Sequence, residues 1–280
     1  MIEAILEYNF LQNAIFSAIL ASIVCGIIGT IIIEKRLVMM SGGIAHASFG
    51  GIGLGYWLNI EPIFGALLFS VLSALGVVKL RAQTNTNSDA LMGIFWAVGM
   101  SLGVLFISFT PGYPPDISSY LFGDILTVTD MDLKIMLLLD ILVFISVFSL
   151  YNYWKAYLFD EEFLKVKGIK TVWLEYFLFV LIALSVIVLI RVVGIVLVIA
   201  LLTAPPALAK MYTYNLKKMM LTAVILGLIF SLTGLVVSYY LEIASGASII
   251  LIIGITYISR VLIGKNNKKS KDNPGDVNGQ

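Results

Sequence analysis

The sequence predicts an all-α, polytopic membrane protein with eight to nine transmembrane helices, about nine by the count of apolar runs. Hydrophobic residues make up 60% of the 280 residues and charged residues only 12%, against roughly 25% charged in an average soluble domain. So few charges cannot cover a soluble surface, whereas the apolar residues suffice for roughly eight or nine spans of about 20 residues each. The single cysteine, Cys25, excludes an intramolecular disulfide and a cysteine-cluster metal site. The net charge of +1 does not indicate a nucleic-acid-binding surface.

Nine apolar runs are the candidate spans. They cover residues 10–34, 37–58, 62–80, 91–110, 133–154, 172–190, 192–209, 219–240 and 246–264. The first run follows Glu3 and Glu7 rather than basic residues, and it exceeds the 7–15 apolar residues of a signal peptide, so we interpret it as a retained span. Pro205 and Pro206 are expected to break the end of 192–209. If that segment is a short or broken helix, eight full spans remain.

Basic residues lie almost entirely on one side of these spans. With the N-terminus outside, 16 of the 18 lysines and arginines fall on one side, and only Lys134 and Arg191 fall on the other. Because loops rich in lysine and arginine stay in the cytoplasm, the C-terminus is predicted to be cytoplasmic. Residues 1–264 then form one transmembrane domain of a cell-membrane protein. The polar, basic segment 265–280 is expected to be a disordered cytoplasmic tail.

The second span contains six glycines. Glycine lowers helix stability, so this density needs a compensating benefit. In membranes that benefit is usually the close approach of helices through small residues spaced four apart. Gly43, Ala47, Gly51 and Gly55 form such a stripe.

The only histidine, His46, lies on a neighbouring stripe with Gly42, Gly50 and Gly53. It is about eight residues, roughly 12 Å, into the span. Ionisable groups at that depth usually face a bundle interior or an aqueous path, and neutral imidazole binds zinc and related metals. We therefore expect His46 to touch a passing ion on a route lined by the three glycines. The alternative is a structural histidine bonded to a neighbouring helix, since one histidine is not a metal site.

The loop 152–171 lies on the predicted cytoplasmic side. Asp160 and Glu161 come early, lysines come late, and Gly168 is a plausible helix stop. This order favours a short helix outside the bilayer that docks on another protein, with an ordinary interfacial loop as the alternative. The chain has no phosphate-binding loop, zinc-protease motif or nucleophile elbow, so we expect no enzymatic activity. Any ATP-driven work then comes from another subunit.

Segments from about Phe10 to Gly264 resemble, in order, the permeases of the ABC-3 family, the zinc, manganese and iron uptake ABC transporters of bacteria and archaea. The segments are EKRLVMMSGGIAHASFGG, SDALMGIFWAVGMSLG, SYLFGDILTVTDMDL, LFDEEFLKVKGIK, VVGIVLVIALLTAPPALAK and SYYLEIASGASIIL. The resemblance implies a permease like those of type II ABC importers, which works as a homodimer with two cytoplasmic ATP-binding subunits and an extracytoplasmic metal-binding protein. It implies a transported divalent metal ion and no permanently bound cofactor.

The resemblance also assigns roles to single residues. Loop 158–170, with Asp160, Glu161 and Gly168, resembles the element that couples the permease to its ATPase. The family has an aspartate four residues before a histidine that binds the metal in the pathway. Here His46 matches that histidine and Gly42 stands at the aspartate position, while Asp124 is a candidate second carboxylate ligand.

Two other functions remain open at this stage. A self-sufficient secondary carrier or channel is disfavoured because few carboxylates lie within the spans. An intramembrane enzyme is disfavoured because no catalytic constellation is visible. The sequence does not choose among zinc, manganese and iron, since all three accept imidazole and carboxylate ligands.

Overall fold

The computed structural model describes residues 7–84, 86–111, 123 and 125–271, and from 264 onward it describes the backbone alone. Within these ranges the chain is helical apart from short connections and a 3₁₀ turn at Ile125–Thr127. The α-helices are α1 (Asn9–Lys35), α2 (Val38–Leu58), α3 (Pro62–Thr84), α4 (Ser88–Ser108), α5 (Asp130–Ser149), α6 (Tyr151–Phe159), α7 (Glu161–Val166), α8 (Thr171–Val193), α9 (Ile195–Tyr212), α10 (Leu216–Leu241) and α11 (Ser245–Lys271).

Seven of these helices are long and apolar enough to cross a bilayer: α1, α3, α4, α8, α9, α10 and the first 19 residues of α11. Helices α5 and α6 meet the same criterion together and are bent by 71°, so the described residues hold seven or eight candidate spans. The predicted range of eight to nine is confirmed at its lower end, and nine is slightly too many. Helix α2 was predicted as a span but is not among these candidates. Its 21 residues, about 32 Å, are long enough to cross a bilayer, but its glycines and histidine make it less apolar than the other spans.

Helix α2 is held between α3 and α4 at backbone distance. A Cβ atom on Gly51 would overlap the backbone of Gly65 in α3, and one on Gly53 would overlap the backbone of Gly103 in α4. The predicted stripe of close approach is therefore confirmed. It divides between two partners, since Gly43 contacts α4 whereas Gly51 contacts α3.

Helix α1 lies in the centre of the bundle and packs against α5, α9 and α10. Ala14, Ala18, Ala21 and Ile28 are all fully buried, and Cys25 is almost so. A helix that is buried on most of its circumference is typical of a bundle core. The small residues on α1 let three neighbours pack around it at once.

Helix α9 passes through Pro205 and Pro206 and ends at Tyr212, so the expected break at these prolines is wrong. Each proline removes one helical N–H donor, and Pro206 leaves the carbonyl of Leu202 without its usual partner. That carbonyl lies against Gly29 of α1, where a side chain would overlap it. The carbonyl that Pro206 leaves without a partner is thus covered by close packing against a glycine.

A single residue, Gly194, joins α8 to α9. Its φ of +79° lies in the region that favours glycine. Its N–H donates to the carbonyl of Ile190, and its carbonyl accepts from the N–H of Val198. Gly123 packs so closely on this link that a Cβ there would overlap the backbone of Val193 and Gly194. The junction is therefore tight on both sides.

Ion pairs join the helices at both ends of the bundle. At one end, called the Lys35 end, the pairs are Lys35–Glu161 (3.0 Å), Arg81–Glu175 (2.6 Å) and Lys210–Glu34 (3.0 Å). At the other, called the Arg191 end, the pairs are Arg191–Asp132 (2.6 Å) and Arg191–Glu61 (3.3 Å). The basic residues Lys35, Arg81 and Lys210, which the sequence assigns to one side of the membrane, therefore lie at one end of the bundle, and Arg191 lies at the other.

The last helix continues beyond the predicted span. Helix α11 runs to Lys271, so the backbone of 265–271 is helical in the segment where the sequence suggested a disordered tail. Residues 272–280 lie outside the described part of the chain.

A side chain at Gly51 should push α2 away from α3. We expect Gly51→Val to lower the apparent melting temperature of the detergent-solubilised protein, because overpacking of a tight contact costs about 1–3 kcal/mol and backbone cannot yield as a side chain does. Thermal unfolding followed by size-exclusion chromatography measures this. Gly93→Ala is the matched control, since nothing lies within 4 Å of a Cβ at Gly93. Equal melting temperatures for the two variants would contradict the packing account.

Candidate functional site

The imidazole of His46, in α2, contacts an aromatic ring of α4. It stacks on the indole of Trp96 with 4.3 Å between ring centroids and 3° between ring planes. The imidazole is partly buried, and its Nδ1 atom is buried without a hydrogen-bond partner. The alternative role for His46, a structural histidine bonded to a neighbouring helix, has no support at Nδ1, and the contact that the structure shows with α4 is the ring stack.

Gly42, one turn before His46, borders open space. A Cβ there would meet only Cδ1 of Ile199 in α9, at an ordinary contact distance of 3.7 Å. The position that carries an aspartate in the family pattern therefore has room for a side chain here. Glycine at this position leaves the imidazole without a carboxylate one turn away.

Gly50 and Gly53 were expected to line the same route, but they lie in packed contacts. A Cβ on Gly50 would overlap the ring of Phe69 and the carbonyl oxygen of Gly99, and one on Gly53 would overlap the backbone of Gly103. These two glycines allow helix contact and do not border open space. Of the three glycines expected beside His46, only Gly42 has room for a side chain.

Asp124, the candidate second ligand, lies outside the described residues. Within the part that is described, no three histidine, cysteine, aspartate or glutamate side chains come together as a metal-binding group.

One acidic side chain inside the bundle has no partner. Asp140 in α5 is only 7% exposed, and neither of its carboxyl oxygens has a hydrogen-bond partner in the described structure. Arg191, in contrast, is paired with Asp132 and Glu61 at the end of the bundle. A buried carboxyl group without a hydrogen-bond partner is costly inside a membrane domain.

The predicted short helix in loop 158–170 is present as α7. The carboxylate of Asp160 caps it by accepting from the N–H of Phe163 at 3.0 Å. Gly168 ends it with a φ of +75°, and its N–H donates to the carbonyl of Lys165. Val166 is 87% exposed, so the helix turns an apolar side chain outward.

Glu161 ties α7 to the membrane domain. Its carboxylate pairs with Lys35 at the end of α1 (3.0 Å) and with Lys165 within α7 (3.1 Å). Burial raises the pKa of the Glu161 carboxyl, but the hydrogen bonds from the two lysines outweigh burial and hold that pKa below its usual range. The carboxylate therefore stays ionised at neutral pH. The stability that these pairs contribute is lost only as the pH falls through the lowered pKa.

A cavity of about 240 Å³ lies where α7 meets the membrane domain. Its lining residues are Lys35, Leu37, Arg81, Tyr157, Glu161, Glu175 and Phe179. The ammonium of Lys35 also lies 3.6 Å from the centre of the Tyr157 ring. The junction of α7 with the bundle is thus polar and charged on one side and aromatic on the other.

Sequence reasoning missed Trp96 and Tyr157. Trp96 lies 50 residues from His46 in the chain, and nothing in the local pattern of either helix points to their contact. The small residues on α2 do predict that another helix packs closely there. They do not identify that helix or the aromatic side chain that it carries.

Comparisons with known proteins match the chain over nearly its full length. The family model described as "ABC 3 transport family" matches residues 7–264. An uncharacterized membrane protein of Synechocystis sp. is 42% identical over 261 residues, which cover 92% of this chain and 93% of that protein. The manganese transport system membrane protein MntC of Listeria innocua is 31% identical over 256 residues, 91% of each chain.

A solved structure has the same fold. It is described as PsaBC from Streptococcus pneumoniae in complex with Fab, and it superposes with a TM-score of 0.82 at 29% identity over 92% of both chains. The seven or eight candidate spans are consistent with the match to a family of membrane transport proteins. The chain is a multi-pass membrane protein that belongs to the ABC 3 transport family.

Proposed function

We propose that this chain is the permease subunit of an ABC importer that takes up a divalent transition-metal ion and is driven by a separate ATPase subunit. The observation that carries the proposal is the family match over residues 7–264. The manganese transport named for the Listeria relative, and the fold shared with PsaBC, support metal as the cargo. Manganese is the first metal to test, with zinc and iron as competitors.

The protein is proposed to work without catalytic residues of its own. A permease supplies a route and two gates, while ATP hydrolysis occurs in its partner. We infer a permease homodimer, a cytoplasmic ATP-binding subunit that docks at α7, and an extracytoplasmic metal-binding protein at the Arg191 end. The metal is cargo, and no permanently bound cofactor is needed.

The Lys35 end is proposed to face the cytoplasm, with the C-terminus on that side and the N-terminus outside. The 16 to 2 distribution of basic residues supports this orientation. The exposed, capped helix α7 then lies where an ATPase can reach it.

Single-cysteine labelling tests the orientation. A cysteine at Lys167 should react with a membrane-impermeant maleimide only in inside-out vesicles, and a cysteine at Glu242 should react from outside intact cells. The native Cys25 is almost fully buried and serves as the unlabelled background. Labelling of the Lys167 site from outside would reverse the proposed topology.

Charge reversal in α7 tests the coupling. We expect Glu161→Lys to lose both lysine pairs and to abolish ATP-driven metal uptake in proteoliposomes that contain the ATPase, because the helix is no longer fixed to α1. Asp160→Asn keeps an oxygen acceptor for the helix cap and should retain more coupling than Asp160→Lys.

Lys134→Glu is the matched control for these reversals, since Lys134 is exposed on α5 near the Arg191 end. It should copurify with the ATPase as the wild type does. Normal ATP-driven uptake by Glu161→Lys would remove α7 from the coupling proposal.

We propose that His46 contacts the passing metal ion. A lone imidazole binds weakly, which suits conduction because the ion must also leave. His46→Ala should lose most uptake at matched membrane abundance, whereas a purely structural histidine would tolerate His46→Gln. Gly42→Asp should place a carboxylate one turn from the imidazole, tighten metal binding and slow release.

Manganese uptake and equilibrium binding of manganese by the three variants test this. The space beside Gly42 makes Gly42→Asp a variant that should fold normally. Wild-type uptake by His46→Ala would exclude His46 from the pathway.

A further inference from the structure

We propose that Trp96 is a positioning residue for metal transport: it fixes the imidazole of His46 by ring stacking, in place of a hydrogen-bond acceptor. This inference rests on the proposed function and extends it to a residue that does not touch the ion. The two rings come from different helices, α2 and α4. They are stacked nearly parallel, with 3° between their planes and 4.3 Å between their centroids.

The need for positioning follows from the unpartnered nitrogen. A histidine that binds a metal through one ring nitrogen usually donates the other N–H to a carboxylate or carbonyl, and that bond sets the ring orientation. Nδ1 of His46 is buried and has no such partner. Gly42 offers no side chain that might serve. Stacking on Trp96 is the contact the structure provides to hold the ring plane.

Stacking is compatible with metal binding. The lone pairs of imidazole nitrogens lie in the ring plane, so a neighbour on the ring face leaves both nitrogen directions open. An indole on one face therefore restricts rotation of the imidazole without occupying a coordination position. A metal ligand held in this way keeps its in-plane nitrogens for the ion.

The helix contact around the stack keeps the two rings in register. Met92, four residues before Trp96, covers Gly43, where a side chain would overlap it. Gly99, three residues after Trp96, lies against the backbone of Ala47. These contacts bracket His46 on α2 and Trp96 on α4, so the indole cannot slide along the imidazole without separating the helices.

The exposure of Trp96 distinguishes it from a residue that only fills the core. The side chain is 37% exposed, whereas Trp154, which packs the junction of α5, α6 and α8, is fully buried. The indole thus covers the imidazole and keeps part of its own surface free. Its chief contact of defined geometry is the stacked ring of His46.

The experiment compares Trp96→Phe with Trp96→Leu in proteoliposomes that contain the ATPase and are supplied with the metal-binding protein, with manganese as the transported ion. Both replacements are apolar and smaller than indole, but only phenylalanine keeps an aromatic face. We expect Trp96→Phe to keep a KM close to that of the wild type. Loss of an orienting neighbour typically weakens metal affinity by 10–100-fold, so Trp96→Leu should raise the KM for manganese by about tenfold or more at similar kcat.

A role through His46 has a second signature. In a His46→Gln background, Trp96→Leu should leave the remaining KM unchanged, because there is no imidazole to orient. Melting temperatures of all variants are measured alongside. An unchanged KM for Trp96→Leu, or equal losses of stability and kcat in both replacements with no change in KM, would overturn the inference.

The outcomes separate this inference from the function on which it rests. Loss of uptake by His46→Ala with a normal KM for Trp96→Leu overturns the role of Trp96 and leaves the permease proposal standing. Wild-type proteoliposomes that take up no manganese, zinc or iron with ATP, although the ATPase and the metal-binding protein are both present, would overturn both.

Discussion

The approach of α2 to α3 and α4 at backbone distance is the contact on which the arrangement of the other groups depends. In a bilayer, apolar side chains gain little from meeting each other instead of lipid, so association relies on close packing and small residues. Gly51 against Gly65, and Gly53 against Gly103, leave no room for a side chain between the backbones. The contact fixes both the distance and the register of the three helices. It also explains why a helix with six glycines persists despite their cost to helix stability.

The same packing sets the chemistry of the candidate site. The glycines that bring α4 to α2 also bring Trp96 over His46, so the orientation of the imidazole is a consequence of helix register. The space near Gly42, one turn from His46, is bordered by Ile199 of α9, and α9 packs closely against Gly29 of α1. The site therefore rests on small residues in several helices. His46, the proposed contact for the ion, is a minor part of the sequence that specifies the site.

Much of this arrangement can be predicted from the sequence because it is encoded locally. Long apolar runs give the helices, the glycine spacing gives the close contact of α2, and Asp160 with Gly168 delimits α7. The positions of Gly50 and Gly53 were misjudged because a stripe of small residues has the same pattern whether it borders a route or a helix. The stacking of His46 on Trp96 depends on how two distant helices align, which no local pattern contains. The predicted break at Pro205 and Pro206 was wrong for a related reason. The glycine that packs against the carbonyl freed by Pro206 belongs to α1, far away in the sequence.

The one-residue junction at Gly194 has a mechanical consequence. A longer loop absorbs relative motion in many torsions, but here a change of angle between α8 and α9 falls on the two torsions of Gly194, in a space already filled by Gly123. Arg191, one turn earlier, is anchored to α5 and to the connection between α2 and α3. The junction of the two helices is therefore constrained by close packing and by ion pairs. A change of angle at this junction would move the far ends of the helices most, and there Lys210 of α9 and Thr171 of α8 lie on the same side of the bundle as α7.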